Sequence, residues 1–253
     1  MVEALFWPAL LGYGEAALAY ATVRTSRAAT WGVRLGWLAQ TALLIAQAAR
    51  SDGFPWSTWA GSLNLFVWFV VGAYLIWGCR PRYRLLGLTV MPLAAALFAV
   101  ARVGGGTGAA SHSSYGNLFL VLHVGFALAA FAGFTLAAGL AGLYLWEERR
   151  LKRRAADILR LRLPPLASLE RLTWRTILVS LPLLTLALVI GIVRQQRDGG
   201  RFDALEVVTV LTWLVYGAVL ALRPTGRRAA YFALGGFLLV IVARLALAGT
   251  HFT

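Results

Sequence analysis

From Gly116 to Trp146 the chain runs for 31 residues without an aspartate, glutamate, lysine or arginine. As one helix that run rises roughly 45 Å, more than the ~30 Å thickness of a bilayer's hydrocarbon core. The sequence therefore predicts a helix that tilts or carries its first turns beyond the outer boundary. It passes directly into "EERRLKRR", so the same helix is expected to continue into the cytoplasm. One imidazole, His123, interrupts it, in a chain with three histidines. Such a side chain is costly in hydrocarbon unless it meets a partner or a ligand.

Other runs of this kind fill the chain. Of its 253 residues 60% are hydrophobic and 13% charged, against about half and a quarter in soluble domains. The runs lack two-residue alternation, which speaks for helices and against a lipid-facing barrel. Hydropathy predicts an all-α integral membrane protein of eight transmembrane helices, at roughly 4–23, 32–49, 58–78, 85–102, 116–146, 174–193, 204–222 and 229–250. These form a single transmembrane domain over 1–253, with a basic cytoplasmic linker at 147–173. The opening "MVEALFWPALLGYGEAALAY" has no basic n-region and no cleavage site, so it is expected to be a retained first span.

A net charge of +14 would point to nucleic acid in a soluble chain. Its distribution says otherwise. Odd-numbered connections carry Arg24 and Arg27, then Arg80, Arg82 and Arg84, then the run from Arg149 to Arg175, then Arg223, Arg227 and Arg228. Even-numbered ones carry Arg50, Arg102 and a trio, Arg194, Arg197 and Arg201, diluted by Asp198 and Asp203. By the positive-inside rule both termini lie outside, in a multi-pass protein of the cell (inner or plasma) membrane. The charge is a topology signal, and no nucleic-acid partner is expected.

The single cysteine, Cys79, rules out an internal disulfide, and no CxxC or CxxCH occurs. Thioredoxin-like chemistry and covalent c-type haem attachment to this chain are thereby excluded. Pro164 and Pro165 end the long helix, and Leu166 to Leu172 are expected to form a short amphipathic piece at the inner surface. On the outer side, Phe54, Trp56 and Trp59 surround Pro55. They read as an interfacial aromatic belt or as a platform for a flat ligand. The stretch from Arg102 to Asn117, rich in Gly and Ser, is expected to be mobile; without a GK[ST] ending it is no phosphate loop.

The predicted topology puts all three histidines on one side of the membrane. His123 lies about 10 Å inside the outer end of span five, His251 ends span eight, and His112 is in an outer loop. Arg244, seven residues before His251, returns to nearly the same helix face. Arg102 ends span four on the outer side. Two neutral imidazoles with one or two guanidinium groups are what a bis-histidine haem with two propionates requires. The plain alternatives stand beside this reading: His123 as a hydrogen-bonded packing residue, His251 as an interfacial end, Arg244 snorkelling outward. A zinc site is disfavoured, because no carboxylate or thiol stands at ligand spacing from either histidine. Glu15, in span one, reads as the only buried acid, a partner of Arg244 or a tyrosine or a proton-handling group.

Three segments carry a family resemblance: "NLFLVLHVGFALAAFAGFTLAAGLAGLYLWEERRLKRR", "RLPPLASLERLTWRTILVSLPLLTLALVIGIV" and "TWLVYGAVLALRPTGRRAAYFALGGFLLVI". Together they resemble the cytochrome c assembly family of CcsA and HemX proteins, and "SDGFPWSTWAGSLNLFVWFVVGAYLI" extends the likeness to span three. The resemblance implies an eight-span protein that handles haem, with non-covalent haem b ligated at the outer face by His123 and His251. Arg244 and Arg102 would meet the propionates, with Trp56 and Trp59 at the mouth. Binding or delivery is implied, not turnover.

Departures narrow it. The family's tryptophan-rich WWD loop is replaced by "RQQRDGGRFDALEVVTVLTW", Gly53 stands in the SGHFP-like place, and the inner end of span seven has Ala221. These point to the HemX-like branch, associated with regulating glutamyl-tRNA reductase. The second reading is accordingly a membrane regulator of that enzyme, acting through the linker from Glu147 to Arg175. Besides lipid, the implied partners are cytochrome c maturation proteins or the reductase. A transporter is disfavoured, since acids within the spans are nearly absent.

Overall fold

A computed structural model describes residues 2–22, 26–51, 56, 58–78, 84–108, 118–153, 165–198 and 204–247. The described residues form eight α-helices and no strand: α1 (Phe6–Ala21), α2 (Ser26–Ala48), α3 (Trp59–Ala73), α4 (Arg84–Val103), α5 (Leu118–Lys152), α6 (Leu166–Asp198), α7 (Ala204–Leu222) and α8 (Arg227–Leu247). A 3-10 turn, Val2–Leu5, leads into α1, and α3 closes in a π-helical turn, Tyr74–Gly78. Four stretches are long and apolar enough to cross a membrane: Trp59–Ile76, Leu86–Val103, Phe119–Lys152 and Leu166–Gln196. A shorter apolar stretch, Glu206–Leu222, lies in α7.

The chain forms two compact units, Met1–Val121 and Leu122–Thr253. In the first, α1 buries Phe6, Ala9, Tyr13, Ala16 and Tyr20, the three-and-four spacing of one helix face. It lies so close to α2 that a Cβ on Gly12 would stand 2.7 Å from the Gly36 Cα. Gly32 and Gly36 give α2 the small-residue spacing that lets two backbones touch. Trp37 and Trp68 stack with centroids 5.1 Å apart, joining α2 to α3. Each indole N–H is satisfied, Trp37 by the Trp68 carbonyl and Trp68 by Thr41 Oγ1.

In the second unit, Ala130, Phe134, Ala137, Ala141 and Leu145 make a stripe along α5, buried with Ile177 and Leu184 of α6, Tyr216 of α7 and Ala233 of α8. Phe134 and Tyr216 stack face to face at 3.9 Å, and the Tyr216 hydroxyl donates to the Ala233 carbonyl at 3.0 Å. α5 does continue past Trp146, as the charge-free run predicted, and ends at Lys152.

One expectation is corrected. Leu166 to Leu172 are no separate surface piece: they are the first turns of a continuous 33-residue α6. No helix breaker stands between Leu172 and Arg175. Thr173, Thr176 and Ser180 return their hydroxyls to carbonyls four residues back, so the buried helix leaves them no unmet donor. Gly104 to Gly108, at the start of the Gly-rich stretch, form a turn, and residues 109–117 lie outside the described residues. Gly105, at φ +82°, closes α4 with paired bonds from Gly105 N–H to the Arg102 carbonyl and from Gly106 N–H to the Ala101 carbonyl. This is the glycine-terminated helix end of the Schellman type.

Candidate functional site

His123 sits one turn into α5, with its ring against α6. Nδ1 lies 2.7 Å from the Ala187 carbonyl oxygen. A carbonyl only accepts, so Nδ1 carries the hydrogen; in the neutral ring the lone pair is then on Nε2. That carbonyl also belongs to the α6 ladder, opposite the N–H of Gly191, and the imidazole takes its second lone pair. Gly191 is what makes the approach possible. A Cβ there would stand 2.7 Å from the His123 Cε1 and 3.1 Å from Nδ1, tighter than ordinary contact. The sequence reading singled out His123 but missed Ala187 and Gly191. Its only available signal was a pair of small residues four apart in an apolar run.

The remaining predicted ligands stand as follows. Arg244 lies in α8. His251 and His112 lie outside the described residues, as does Cys79.

Three predicted residues belong to the first unit. Thr58 caps α3, accepting from the Gly61 N–H at 3.0 Å, and Ser62 Oγ donates to the Trp56 carbonyl, which folds the Trp56–Trp59 segment back onto its helix. The Trp59 ring is 52% exposed and lies across Gly104, where a Cβ would stand 2.5 Å from Cζ2. Arg102 donates from Nη1 to Thr107 Oγ1 at 3.0 Å, with its guanidinium carbon 5.5 Å above the Phe6 ring. Trp59 and Arg102 thus meet at the same helix end, the α4 turn.

That turn is anchored from below by a buried polar ladder, which the sequence reading also missed. The Tyr13 hydroxyl donates to Gln40 Oε1 at 2.5 Å, and Gln40 Nε2 donates to Asn64 Oδ1 at 2.9 Å. Asn64 Nδ2 donates to Gln47 Oε1 and to the Gly106 carbonyl, both at 3.1 Å; Gln47 Nε2 reaches the Gly106 and Gly108 carbonyls at 3.1 and 2.8 Å. All four side chains are fully buried. Gln40 and Gln47, two turns apart in α2, were the signal.

At the other end of the second unit, the glutamate of the "LASLERL" stretch has a defined task. Glu170 Oε1 accepts from the Gly226 N–H at 2.9 Å, pinning the turn between α7 and α8 where Gly226 holds φ +61° and Arg223 φ +45°. Glu148 stands between Lys152 at 2.8 Å and Arg227 at 3.1 Å, and Arg150 covers the Trp146 ring at 4.8 Å.

Apolar helices of bilayer length, packed through small residues and threaded by satisfied buried amides, define an all-α membrane protein. The chain belongs to the cytochrome c assembly protein family, whose pattern it matches over residues 56–249. It is 29% identical over 180 residues to a protein named HemX from Brevibacillus brevis, covering 71% of this chain and 66% of that one. It is 25% identical over 269 residues to the cytochrome c biogenesis protein CcsA of Microcystis aeruginosa, covering 85% and 82%. Against the CcsA of Guillardia theta it is 25% identical over 261 residues, covering 93% and 81%.

Proposed function

We propose that this protein binds haem b non-covalently near the outer face of the cell membrane, as a step in cytochrome c biogenesis or haem supply. All eight helices cross the bilayer in this reading, with both termini outside, as the arginine distribution requires. His123 Nε2 and His251 would hold the haem iron. Arg244 and Arg102 neutralise the propionates, and Trp56 and Trp59 border the entrance. The protein holds and presents haem and carries out no turnover.

One observation carries the reading. The donor set fits the group because the Ala187 carbonyl holds Nδ1–H, leaving Nε2 as the free lone pair. Metal-binding histidines typically have their second nitrogen fixed in this way. A packing histidine needs one bond and would gain nothing from a glycine cut to fit its ring. What the bound haem supplies is a redox-active iron and a cargo for transfer; the chain supplies orientation, charge neutralisation and exclusion of water.

The test is the absorption spectrum of the detergent-purified full chain reconstituted with haem. A low-spin bis-histidine spectrum is expected, lost in the His123→Ala, His251→Ala double variant. Equal haem content in that variant refutes the assignment.

A second reading is favoured by the match to HemX and by the stretch "RQQRDGGRFDALEVVTVLTW", from the end of α6 into α7, which lacks the tryptophan cluster. In it the basic stretch from Glu147 to Arg175 engages glutamyl-tRNA reductase. Charge reversal at Arg149, Arg150, Arg171 and Arg175 should abolish capture of purified reductase; unchanged capture refutes it.

A further inference from the structure

Glu15 stands on the unexpected side of its helix. α1 turns Phe6, Tyr13, Ala16 and Tyr20 into the first unit and leaves Trp7, Leu11 and Leu18 at 58%, 67% and 69% exposure. Glu15 is the sole charged residue of α1, and it is exposed on that outward face. Among the described residues it makes no hydrogen bond or ion pair. Its carboxylate opens on a groove of about 740 Å³ bordered by α1, the start of α2 and the middle of α4, with Leu10, Leu11, Gly14, Leu18, Ala28 and Ala95 in its lining. Where a Cβ on Gly14 would stand there is open space.

In a helix that crosses a bilayer, this face meets lipid. A carboxylate turned to hydrocarbon is unfavourable, so such groups are found paired. Glu15 is six residues from the α1 end at Ala21, roughly 9 Å by helical rise, and its short side chain does not reach the interface as a lysine or arginine does. A lipid tail would fill the apolar walls but brings no donor to that depth. A second copy docked symmetrically would set Glu15 against Glu15. A floor of glycine and alanine is what lets another backbone come close.

We infer that this groove docks a transmembrane helix of another protein, one carrying a lysine or arginine at the depth of Glu15 and small residues where it crosses Gly14. The inference rests on the reading that α1 spans the membrane.

The probe is a synthetic leucine–alanine transmembrane peptide with one central lysine, against the same peptide with glutamine or glutamate there. Binding to the full chain in phosphatidylcholine vesicles is read by energy transfer. The lysine peptide should bind about three- to fifteenfold more tightly than the glutamine peptide, the span measured for buried polar contacts between membrane helices. Glu15→Gln should erase that preference, and Glu15→Lys should invert it in favour of the glutamate peptide. Gly14→Leu, which fills the groove, should weaken every peptide. Equal binding of lysine and glutamine peptides overturns the proposal. So does a self-associating protein whose dimer dissociates on Glu15→Gln, since a second copy is then the occupant. Labelling of Glu15→Cys, in a Cys79→Ser background, separates the two levels. Ready reaction with a membrane-impermeant maleimide would refute the span itself, whereas protection without charge preference refutes only the docking.

Discussion

Replacing Gly191 with alanine tests the His123 geometry directly. The new Cβ would sit 2.7 Å from Cε1, and an ordinary contact begins at 3.4 Å. The ring must therefore retreat by about 0.7 Å, or α6 must shift by as much. A retreat of that size takes Nδ1 from 2.7 Å past the limit of a useful hydrogen bond to the Ala187 carbonyl. The expected cost is about 1–3 kcal/mol from overpacking and the lost bond, after alanine's better helix propensity offsets about 1 kcal/mol. Unfolding in mixed micelles should register this loss.

The same substitution in a His123→Ala background meets no ring. There it should be neutral, or stabilising by up to about 1 kcal/mol. The two backgrounds should thus differ by about 2 kcal/mol, well within the coupling seen between contacting residues. Nitrogen-15 spectra of labelled histidine give a second readout: wild type should carry its hydrogen on Nδ1, and Gly191→Ala should populate the Nε2–H form. Haem affinity should fall about tenfold or more if Nε2 is the ligand. Equal effects of Gly191→Ala in both backgrounds would refute the contact on which this rests.

Three further outcomes can be checked the same way. Glu170→Ala leaves the Gly226 N–H without its acceptor and should lower stability by about 1–2 kcal/mol in micelle unfolding, whereas Glu170→Gln, which keeps a carbonyl oxygen in place, should recover most of it. Asn64→Leu preserves shape but strands Gln47 Oε1 and one bond of Gln40; it should cost about 1–3 kcal/mol. Because Asn64 and Gln47 share the Gly106 carbonyl, Asn64→Leu should also speed proteolysis near residues 104–108, and an unchanged cleavage rate would show the turn to be held by its own backbone bonds alone. Thr107→Val removes one hydroxyl that Arg102 meets and should loosen the guanidinium's hold on the α4 turn, raising haem affinity if Arg102 serves a propionate and leaving it unaltered if it does not.

The helices were readable because lipid-like runs cannot be hidden in any other way. Hydropathy predicted eight helices in order, and the structure has eight among the described residues. Their ends were read less well. Hydropathy begins the sixth span near residue 174 and sets Leu166 to Leu172 apart as a surface piece, since Glu170 and Arg171 interrupt the apolar run. Yet α6 begins at Leu166, because hydroxyls at Thr173, Thr176 and Ser180 bond to its own carbonyls and Leu169 packs fully buried. Polarity marks where a membrane ends, and a helix need not end there.

The site was legible only in its residue types. His123 stood out as an imidazole in an apolar run, but what makes it a candidate ligand is its orientation, and that is set by Ala187 and Gly191 on another helix. A hydropathy scan sees Gly191 as one more small residue. The same holds for Gln40, Gln47 and Asn64: each is a modest interruption in its own helix, and the ladder exists only once α2, α3 and the α4 turn converge. Glu15 obeys the opposite logic. Every amide in the ladder is satisfied within the fold, so the ladder stabilises the first unit and asks for nothing else. A carboxylate left on the outward face contributes nothing to that unit among the described residues, and burial in lipid would penalise it. If α1 spans the membrane, an outward carboxylate that costs the isolated chain is accounted for by a partner that supplies its counter-charge.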